Sequence, residues 1–505
     1  MFTNRDLQLF EQRNIPLIKA HWQIEQLKKG SNSVFLASAI TRENGIVVPK
    51  DQDKYIEKFE STSKTITKFV PASGAATRMF KALFEFRKSF IEDENFDLEK
   101  NQDAKLFIDN IKKFPFYHEL NKLLVDKGGI ERLINEKNYE PILTGLLDSD
   151  GLSYLNLPKG LLSFHFYAGG IARTPFEEHL SEGAKYARSA NNNVYLHFTV
   201  SPEHLEAFVR LKNKIVPKYE NLYSVKYIIE FSIQNPATDT IALTKGNKLV
   251  YTNEGDLMFR PGGHGALIEN LDQIESDIIY IKNIDNVVPE KNIETTVKYK
   301  KVLGGILIEI QQKVFSLLKK LTKAPDAESV SEALDILKNQ FNLSGTCIKE
   351  DLDSASLIES LIERLNRPIR VCGVVPNKGE PGGGPFLIRN KGGGISPQIV
   401  EVSQIDMDDD NQKKVLNSST HFNPVDIVCA VKDFEGNKFD LSGYVDNDTF
   451  FIAQKSKAGL EFKALELPGL WNGAMAGWNT VFVEVPVHTF TPVKTIFDLL
   501  RESHQ

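Results

Sequence analysis

Short apolar runs that alternate with amphipathic segments between about residues 64 and 290 limit how this chain can fold more than any other feature does. Four of the runs read ITKFV, VYLHFTV, YIIEFSI and IIYIKNI, and the segments between them have helical spacing. Runs and segments that alternate in this way are typical of parallel strands joined by crossover helices. The pattern therefore predicts an α/β fold around a mostly parallel sheet.

The remaining sequence divides into segments of different pattern. Residues 1–62 have apolar positions every three or four residues, which predicts an N-terminal helical subdomain. Residues 300–367 have the same amphipathic spacing and are expected to form a helical insertion or lid, whereas residues 368–505 return to strand-like runs and turns. We therefore expect four segments, which are 1–62, 63–299, 300–367 and 368–505.

Composition argues against several classes of protein. The 505 residues are 41% hydrophobic and 25% charged, which is typical of a globular chain with roughly two or three domain-sized units. The net charge is −6, and acidic and basic residues are interspersed, so the sequence has no basic segment typical of nucleic-acid binding. The three cysteines, Cys347, Cys372 and Cys429, lack metal-ligand spacing, and the apolar runs are too short to span a bilayer. We expect a cytoplasmic protein with no nucleic-acid or membrane partner.

The stretch FVPASGAATRMF, residues 69–80, places several small residues between a strand end and a helix. The loop consists of Ser73, Gly74, Ala75, Ala76 and Thr77, and Arg78 follows it. Small residues let a backbone approach a ligand closely, Gly74 can adopt positive φ, and the N–H groups of a strand-to-helix turn point at whatever lies there. The stretch is therefore a candidate anion site, although such a turn taken alone is more often only packing.

Four fragments follow one another along the chain, namely SGAATRM at 73–79, LPKGLLSFH at 157–165, PGGHGALIENL at 261–271 and IKNIDNVV at 281–288. Together they resemble the nucleotide-sugar pyrophosphorylases of the UDP-sugar and UDP-N-acetylhexosamine type. The resemblance extends from about residue 64 to residue 500, apart from the helical block at 300–367. Within this group, the chain is expected to belong to an uncharacterised bacterial domain family of the same fold.

The resemblance implies a fold and a pair of substrates. The fold is α/β, with a glycosyltransferase-A-like (Rossmann-like) nucleotidyltransferase core, a mixed, mostly parallel central sheet, an N-terminal helical subdomain and a helical insertion. Residues 63–299 would form the nucleotide-binding half, and residues 368–505 the half that binds the sugar or another acceptor. The implied substrates are a nucleoside triphosphate, with UTP favoured, and a sugar 1-phosphate, and the implied cofactor is Mg²⁺.

The resemblance also assigns roles to single residues. Those implied to act catalytically on the phosphates are Arg78, Lys159 and Lys494. Those implied to bind the nucleotide are Ser73, Gly74, Ala75, Ala76, Thr77, Gln234, Gly262, Gly263 and His264. Those implied to bind the sugar or acceptor are Glu401, Asn423 and Asp426, and the implied metal ligand is Asp285.

Elementary chemistry agrees with this selection. Joining a sugar 1-phosphate to a nucleoside triphosphate brings several negative charges together, so the site needs cations, backbone donors and a metal more than a general base. Asp285 follows an apolar strand, at the end where open α/β sheets bind ligands, and a lone carboxylate suits Mg²⁺. Simpler interpretations remain for Arg78 as a helix residue, Lys494 as a surface lysine and Asp285 as a turn cap. His264 lies between glycines and is expected to contact ligand rather than to pack.

The sequence departs from the family pattern in the phosphate loop. Ser73 and Ala76 stand where the family has glycine, and a Cβ at Ala76 is expected to hinder positive φ or the close approach of a phosphate. Two other functions therefore stay open beside a Mg²⁺-dependent nucleotidyltransferase. One is a non-catalytic nucleotide-binding or scaffold protein with the same fold, and the other is nucleotidyl transfer to a non-sugar phosphate acceptor. The sequence makes no prediction of the oligomeric state.

Overall fold

The structure is a computed structural model that describes residues 2–30, 33–74, 76–93, 95–348, 350, 352–377, 379, 382–457 and 460–505. The described residues form fifteen α-helices and seventeen strands. The helices are α1 Asn4–Gln12, α2 Leu17–Lys29, α3 Gln52–Glu60, α4 Lys81–Glu92, α5 Gln102–Asp109, α6 Tyr117–Leu123, α7 Gly129–Asn135, α8 Glu140–Leu147, α9 Pro175–Tyr186, α10 Leu205–Tyr223, α11 Ile268–Asp272, α12 Ile293–Lys323, α13 Ala327–Asp335, α14 Ser354–Leu365 and α15 Asp410–Asn417. The strands are β1 Phe35–Ala39, β2 Ile46–Val47, β3 Ile66–Pro71, β4 His165–Tyr167, β5 Ile171–Arg173, β6 Asn193–Val200, β7 Lys226–Ile233, β8 Thr240–Thr244, β9 Phe259–Arg260, β10 Ile278–Lys282, β11 Ile369–Pro376, β12 Gly384–Arg389, β13 Ile395–Val400, β14 His421–Ala430, β15 Phe451–Lys457, β16 Leu460–Glu466 and β17 Asn479–Glu484.

The chain forms two compact units, each assembled from three segments that are distant in sequence. Unit 1 consists of Met1–Thr67, Ser232–Ile281 and Lys301–Val487. Unit 2 consists of Lys68–Phe231, Lys282–Lys300 and His488–Gln505. The four predicted segments follow changes of composition along the chain and stay a prediction.

Unit 1 is built on sheets of mixed direction. Its central strands run in the order β2-β17-β11-β14-β10. Within that order, β11 pairs in parallel with β17 and antiparallel with β14, and β17 pairs in parallel with β2. A three-stranded antiparallel sheet, β1-β12-β13, and a four-stranded antiparallel sheet, β15-β16-β8-β9, complete the unit. The predicted α/β class with a mixed central sheet is confirmed.

Unit 2 combines the strand order β3-β6-β7 with helices α4 to α10. The apolar runs predicted as strands are β3, β6, β7 and β10, and residues 66–70 of β3 are all buried. One hydrophobic core lies among helices α4 to α8 and includes Phe80, Phe107 and Leu146. A second core packs α9 and α10 on β6 through Phe176, Phe198 and Phe208. These cores hold the strand ends of unit 2 in fixed positions.

The helical block predicted at 300–367 consists of most of α12 together with α13 and α14. The N-terminal segment carries α1 to α3, as expected, and also the short strands β1 and β2, which a helical pattern does not reveal. In the described part of the chain, no helix has both the length and the apolar composition needed to cross a membrane.

Candidate functional site

The small-residue loop leads from β3 to α4, as predicted. A single 3-10 turn, Ala76–Arg78, separates the strand from the helix. The backbone N–H of Ala72 donates to the Thr199 carbonyl on β6 at 2.8 Å, which fixes the start of the loop. Ala76 is fully buried in the helical core of unit 2, so its methyl group packs inward. Ala75 lies outside the described residues.

Gly74 does not use the conformational freedom of glycine. Its φ is not positive, and a Cβ built on it has no heavy atom within 4 Å. Ala76 also has no positive φ, and its Cβ therefore causes no backbone strain. Ser73, Thr77 and Arg78 are exposed, and the Arg78 guanidinium has no hydrogen bond or ion pair with the residues the structure describes. Arg78 is therefore an exposed cation with no partner among the described residues.

Lys159 starts a second 3-10 turn, Lys159–Leu161, directly after Pro158. Its backbone N–H points at the Gly74 carbonyl at 3.4 Å, so the turn lies against the loop. The following glycine is required by packing, because a Cβ on Gly160 would lie 2.9 Å from the Phe208 ring and 3.2 Å from Ile284. Gly160 therefore lets the lysine turn pack directly on the segment that carries Asp285.

Asp285 lies in the turn that follows β10 and is 6% exposed. The ammonium groups of Lys159 and Lys494 contact its Oδ2 atom at 2.8 Å and 3.0 Å. Burial opposes ionisation of this carboxyl group, but the two lysines outweigh it and hold the pKa of Asp285 below its ordinary value. The group is therefore a carboxylate at neutral pH.

Lys494 is positioned by the backbone on both sides of it. The Val493 N–H donates to the Asp285 carbonyl at 3.0 Å, and the Val493 carbonyl accepts from the Lys159 ammonium at 2.8 Å. Asp498 accepts the N–H groups of Lys494 and Thr495, both at 2.7 Å. This capping box, Thr495 to Asp498, is visible in the sequence as T-I-F-D, and sequence reasoning missed its positioning role.

The three charged residues come from the three segments of unit 2 and meet at one carboxylate oxygen. Among the described residues, no group of three or more His, Cys, Asp or Glu side chains is arranged to hold a metal ion. Both lysines contact Oδ2, and no described donor contacts Oδ1 of Asp285. Mg²⁺ is often bound through one or two carboxylates together with substrate phosphates, and a lone carboxylate with an open oxygen fits that mode.

The residues predicted to bind the base lie in unit 1. The Gln234 amide donates to the Thr238 hydroxyl at 3.2 Å, and a Cβ on Gly262 would lie 2.6 Å from the Thr238 carbonyl. Gln234 and Gly262 therefore meet around Thr238. Gly263 has a φ of 77°, which favours glycine. A Cβ on Gly265 would lie 2.1 Å from the Pro468 carbonyl, so this glycine is required by packing.

His264 packs, contrary to the sequence expectation. Its ring stacks on Trp471 with centroids 4.3 Å apart, and its Nδ1 atom accepts the Leu470 N–H at 3.0 Å. Burial lowers the pKa of His264 to about 4, so the ring is neutral near pH 7. Because Nδ1 accepts, the proton is on Nε2, and a donor role toward a ligand stays a prediction.

The residues predicted to bind sugar also lie in unit 1 and share a neighbour. The Asn423 N–H donates to the Gly383 carbonyl at 2.8 Å, and a Cβ on Gly383 would lie 3.4 Å from Cγ of Glu401. Burial raises the pKa of Glu401, and a hydrogen bond from Trp471 partly offsets that effect. Glu401, Asn423 and His264 therefore gather around Trp471 and Gly383.

The side chains of Asn423 and Asp426 serve the sheet itself. The Asn423 amide donates to the Gly373 carbonyl at 2.7 Å and accepts the Val425 N–H at 3.0 Å. These bonds hold a bulge at which Val425 has a φ of 58°, a strained value for a β-branched residue. Asp426 is 2% exposed and lies opposite Gly373 within the sheet. The structure thus puts the carboxylate inside unit 1 rather than at an open surface.

The model of a family described as a domain of unknown function, DUF4301, matches residues 3–505. The chain belongs to this family. The predicted membership of an uncharacterised domain family is confirmed. A comparison with curated proteins finds no match.

Solved structures similar to the chain belong to the predicted class of enzyme. UDP-glucose phosphorylase from Trypanosoma brucei is similar over 99% of this chain and 80% of that chain, with 12% identity and a TM-score of 0.45. A variant of UDP-glucose pyrophosphorylase from Leishmania major is similar over 98% and 77%, with 12% identity and a TM-score of 0.43. A second variant from Leishmania major, in complex with UDP-glucose, has the same identity and coverages with a TM-score of 0.42. At these values the similarity assigns no activity to this chain.

A buried charge cluster in unit 2 escaped the sequence analysis. Glu182 on α9 contacts the ammonium groups of Lys68 at 2.6 Å and Lys282 at 2.7 Å, and the fully buried Lys300 lies near the same aromatic ring, Tyr186, as Lys68. Lys68 precedes the phosphate loop on β3, and Lys282 ends the strand before Asp285. The cluster therefore ties together the two strand ends that lead into the site.

A second network joins α9 to the C-terminal segment of unit 2. Nδ1 of His165 lies 3.0 Å from a Glu178 oxygen, and Nε2 of His165 lies 3.0 Å from Nδ1 of His504. Burial raises the pKa of Glu178 to about 8 and lowers the pKa values of both histidines to about 3. Near pH 7 both rings are therefore neutral. The only feature of the sequence that could have indicated this network is the capping box of α9, TPFE, which two further polar residues follow.

Proposed function

We propose that the protein is a nucleotidyltransferase that transfers a nucleotidyl group from a nucleoside triphosphate, UTP in the favoured case, to a sugar 1-phosphate. The observation that carries the proposal is the convergence of Lys159 and Lys494 on Asp285, next to an open loop that ends in the unpaired Arg78. This arrangement combines cations, backbone donors and one carboxylate, which is the set that phosphoryl chemistry needs.

The proposed reaction is a single displacement at the α-phosphorus. An oxygen of the sugar 1-phosphate forms a bond to that phosphorus, and the bond from the phosphorus to the bridging oxygen of pyrophosphate breaks. The electron pair leaves with pyrophosphate, so neither a proton nor a redox partner is needed. The reverse reaction cleaves the nucleotide sugar with pyrophosphate, and both directions use the same groups.

The residues of unit 2 act by position and charge in this proposal. Arg78 has a planar fork of donors that matches two phosphate oxygens at once. Lys159 and Lys494 stabilise the charge that accumulates as pyrophosphate leaves, since each ammonium can exchange Asp285 for a phosphate oxygen. The loop at 73–77 offers its N–H groups to the same oxygens. Asp285 would hold Mg²⁺, which when bound supplies charge neutralisation and polarises the phosphoryl oxygens.

The residues of unit 1 supply recognition in the same proposal. Gln234 has the amide groups to read a base edge, and Gly262 and Gly263 are the neighbouring backbone positions that the resemblance assigns to the nucleotide. The Glu401 carboxyl, held by Trp471, suits the hydroxyl groups of a sugar. These assignments rest on the resemblance of residues 231–267 and 398–406 to the pyrophosphorylases together with the contacts described above.

The test is pyrophosphate release by the purified protein. UTP, ATP, GTP and CTP are each combined with glucose 1-phosphate or N-acetylglucosamine 1-phosphate in the presence of Mg²⁺, and each nucleotide is also tested for stabilisation against heat. We expect release with one nucleotide and one sugar phosphate, and loss of release in the variant Asp285→Asn. Lys88→Gln, which changes an exposed lysine on α4, is the matched control and should retain full release. Unchanged turnover in Asp285→Asn would refute the assigned roles.

A second candidate is nucleotidyl transfer to a phosphate acceptor other than a sugar. The specific observation in its favour is that the Asn423 amide is engaged by Gly373 and Val425, and that Asp426 is buried. Two of the three residues predicted to bind sugar therefore have structural partners already. This candidate predicts release of pyrophosphate only with polyol phosphates. Stabilisation by a nucleotide without turnover on any acceptor would instead indicate a non-catalytic nucleotide-binding protein.

A further inference from the structure

A cavity of about 930 Å³ lies within unit 1, away from every residue assigned above. Its walls are the C-terminal end of α14, one face of β13 and the loop at 440–446. Its volume falls in the range of pockets that hold small organic molecules, roughly 300–1,000 Å³. The walls contain Arg364 and Arg367, the carboxylates of Glu363, Asp440 and Asp446, and several hydroxyl and amide groups, so the cavity is polar and has charges of both signs.

Arg364 is the unusual group in this cavity. It is only 8% exposed, and its buried Nε atom has no hydrogen-bond partner in the part of the chain that the structure describes. Among the described residues, no carboxylate lies within ion-pair distance of its guanidinium. Its NH1 atom donates to the Gly477 carbonyl at 3.3 Å, and NH1 of Arg367 points at the same carbonyl at 3.4 Å. Two cations thus converge on one neutral acceptor, an arrangement that is costly without an anion.

Local structure does not require these arginines. The free carbonyls at the end of α14, those of Arg364 and Leu365, accept the Asn479 amide, both at 3.2 Å. The C-terminal end of a helix stabilises a nearby cation, but this favourable free energy is much smaller than the free-energy cost of burying an unpaired cation. The pairing of Arg367 with Glu363 is a surface pair in which the carboxylate side chain is 75% exposed. The helix end would therefore be satisfied without Arg364.

The other acidic groups of the cavity wall have partners of their own. Asp440 accepts the N–H of Ser442 at 3.0 Å and its hydroxyl at 2.6 Å. Asp446 accepts the Asp448 N–H at 3.0 Å. These carboxylates cap short turns of the loop, and among the described residues Arg364, unlike Arg367, has no ion pair. Burial, aided by the charge of Arg367, also lowers the pKa of Arg364 to about 10, an effect that a bound anion would reverse.

The cavity is distinct from the site predicted to bind sugar, because β13 separates the two. Ser396 and Gln398 line the cavity. A Cβ on Gly383 would contact Ile399 and Glu401, which alternate with them along the chain. Successive side chains of a strand point to opposite faces, so the cavity and Ile399 lie on opposite faces of β13, and Glu401, which directly follows the strand, lies on the side of Ile399 next to Gly383.

We propose that this cavity is a second ligand site, in which Arg364 and Arg367 bind the phosphate or carboxylate group of a metabolite-sized organic anion. The planar guanidinium forks bind such a group through paired hydrogen bonds. The remainder of the ligand has hydroxyl or amide groups that match Thr346, Ser360 and Asn390 on the walls. The anion is neither the nucleotide nor the acceptor of the proposed reaction, and the site is independent of whether that reaction occurs.

The test is calorimetric titration of the full chain with three probes that share one ring, namely phenyl phosphate, benzoate and benzamide. We expect one anion to bind at least about tenfold more tightly than neutral benzamide, and Arg367→Gln to weaken it about tenfold. A preference for phenyl phosphate identifies a phosphate ligand, and a preference for benzoate identifies a carboxylate ligand. Binding should persist in Lys494→Gln, which alters only the phosphate residues of unit 2.

Ser396→Phe provides a second test that leaves both arginines in place. Its ring should fill the cavity and abolish binding of the anion, while circular dichroism confirms the fold. This variant and Arg367→Gln together test the site without replacing the buried Arg364. Equal binding of the three probes, no binding at all, unchanged binding in both Arg367→Gln and Ser396→Phe, or loss of binding in Lys494→Gln would each overturn the proposal.

Discussion

Two lysines that share one carboxylate oxygen differ in burial. Replacing each of them should therefore affect the stability of the protein differently. Lys159 is 12% exposed and Lys494 is 55% exposed at the side chain. We expect Lys159→Met to lower the free energy of unfolding by ~1–3 kcal/mol, because it leaves Asp285 buried with one partner. Lys494→Met should change it by less than ~0.5 kcal/mol. Urea unfolding curves measure both.

The same pair of variants should behave alike in turnover. If both ammonium groups stabilise phosphate charge, each variant should reduce pyrophosphate release by about 10²-fold or more. Full activity in Lys494→Met, with stability also unchanged, would show that this lysine is an ordinary surface residue. Lys88→Met, on the exposed face of α4, is the control for loss of a positive charge.

Replacement by alanine should affect stability differently at two glycines near the site. Gly74→Ala has open space around the new methyl group and no positive φ, so stability should change by less than ~0.5 kcal/mol. Gly160→Ala presses on Phe208 and Ile284 and should cost ~1–3 kcal/mol. If a phosphate approaches the backbone at Gly74, nucleotide affinity should fall about tenfold in Gly74→Ala. Unchanged affinity would place the phosphate elsewhere.

Single residues with a defined chemical partner were the most predictable part of the site. Asp285, Lys159 and Lys494 were selected on motifs, and the structure brings all three to one oxygen. Gly74 does not use the positive φ that glycine allows, because the 3-10 turn at Ala76–Arg78 makes the change of direction with ordinary backbone angles. A glycine in the sequence shows that an unusual φ is allowed at that position, and it does not show that the folded chain adopts one.

At the scale of elements, α9 is the least expected feature. All of its residues except Lys185 are buried, including two glutamates and a histidine beside Glu182. An amphipathic pattern assigns such polar positions to solvent, and only the three-dimensional arrangement shows their partners, which for Glu182 lie on β3 and β10 and for Glu178 on β4. Asp498 was missed for a related reason, because its role is to hold the backbone of Lys494 rather than to contact a ligand.

The buried lysines against α9 predict a pH dependence of stability. Burial lowers the pKa of Lys68 to about 7, with Glu182 opposing this shift and Lys282 and Lys300 adding to it. Between about pH 7 and the ordinary lysine value of 10.5, Lys68 therefore binds a proton more fully in the unfolded chain than in the native state. The contribution of Lys68 to the free energy of unfolding should rise with pH across this window.

Lys68→Met tests this assignment. The methionine has a similar length and no charge, so the contribution of Lys68 to the alkaline rise should disappear, while Lys88→Met should retain it. Urea unfolding of both variants at several pH values between 7 and 10 measures the difference in slope. Identical slopes in the two variants would show that Lys68 keeps its proton in the native state.

At the scale of the whole molecule, the predicted site residues divide between the two compact units. Arg78, Lys159, Asp285 and Lys494 belong to unit 2, whereas the residues predicted to bind base and sugar belong to unit 1. Neither unit is continuous in sequence, so changes of composition along the chain cannot reveal their boundaries. The class of fold was predictable, because the apolar runs in the sequence correspond directly to buried strands.

This division predicts two different patterns of protection from hydrogen exchange. Pyrophosphate with Mg²⁺ should protect amides at 72–78, 159–161, 283–287 and 491–495 in unit 2. Uridine, which carries the base without phosphates, should instead protect 234–238 and 262–267 in unit 1. Protection by pyrophosphate confined to the cavity segments 360–367 and 440–446 would contradict the proposed phosphate site.

The origin of the phosphate residues in three segments of unit 2 has a consequence for how the chain folds. Lys159 and Asp285 are 126 residues apart, and Lys494 lies a further 209 residues away. Contacts between such distant residues form late, because the entropy of closing long loops opposes them until the surrounding structure exists. In refolding from urea, recovery of nucleotide binding should therefore lag behind the return of helical signal, and the lag would report the time at which residues 488–505 join unit 2.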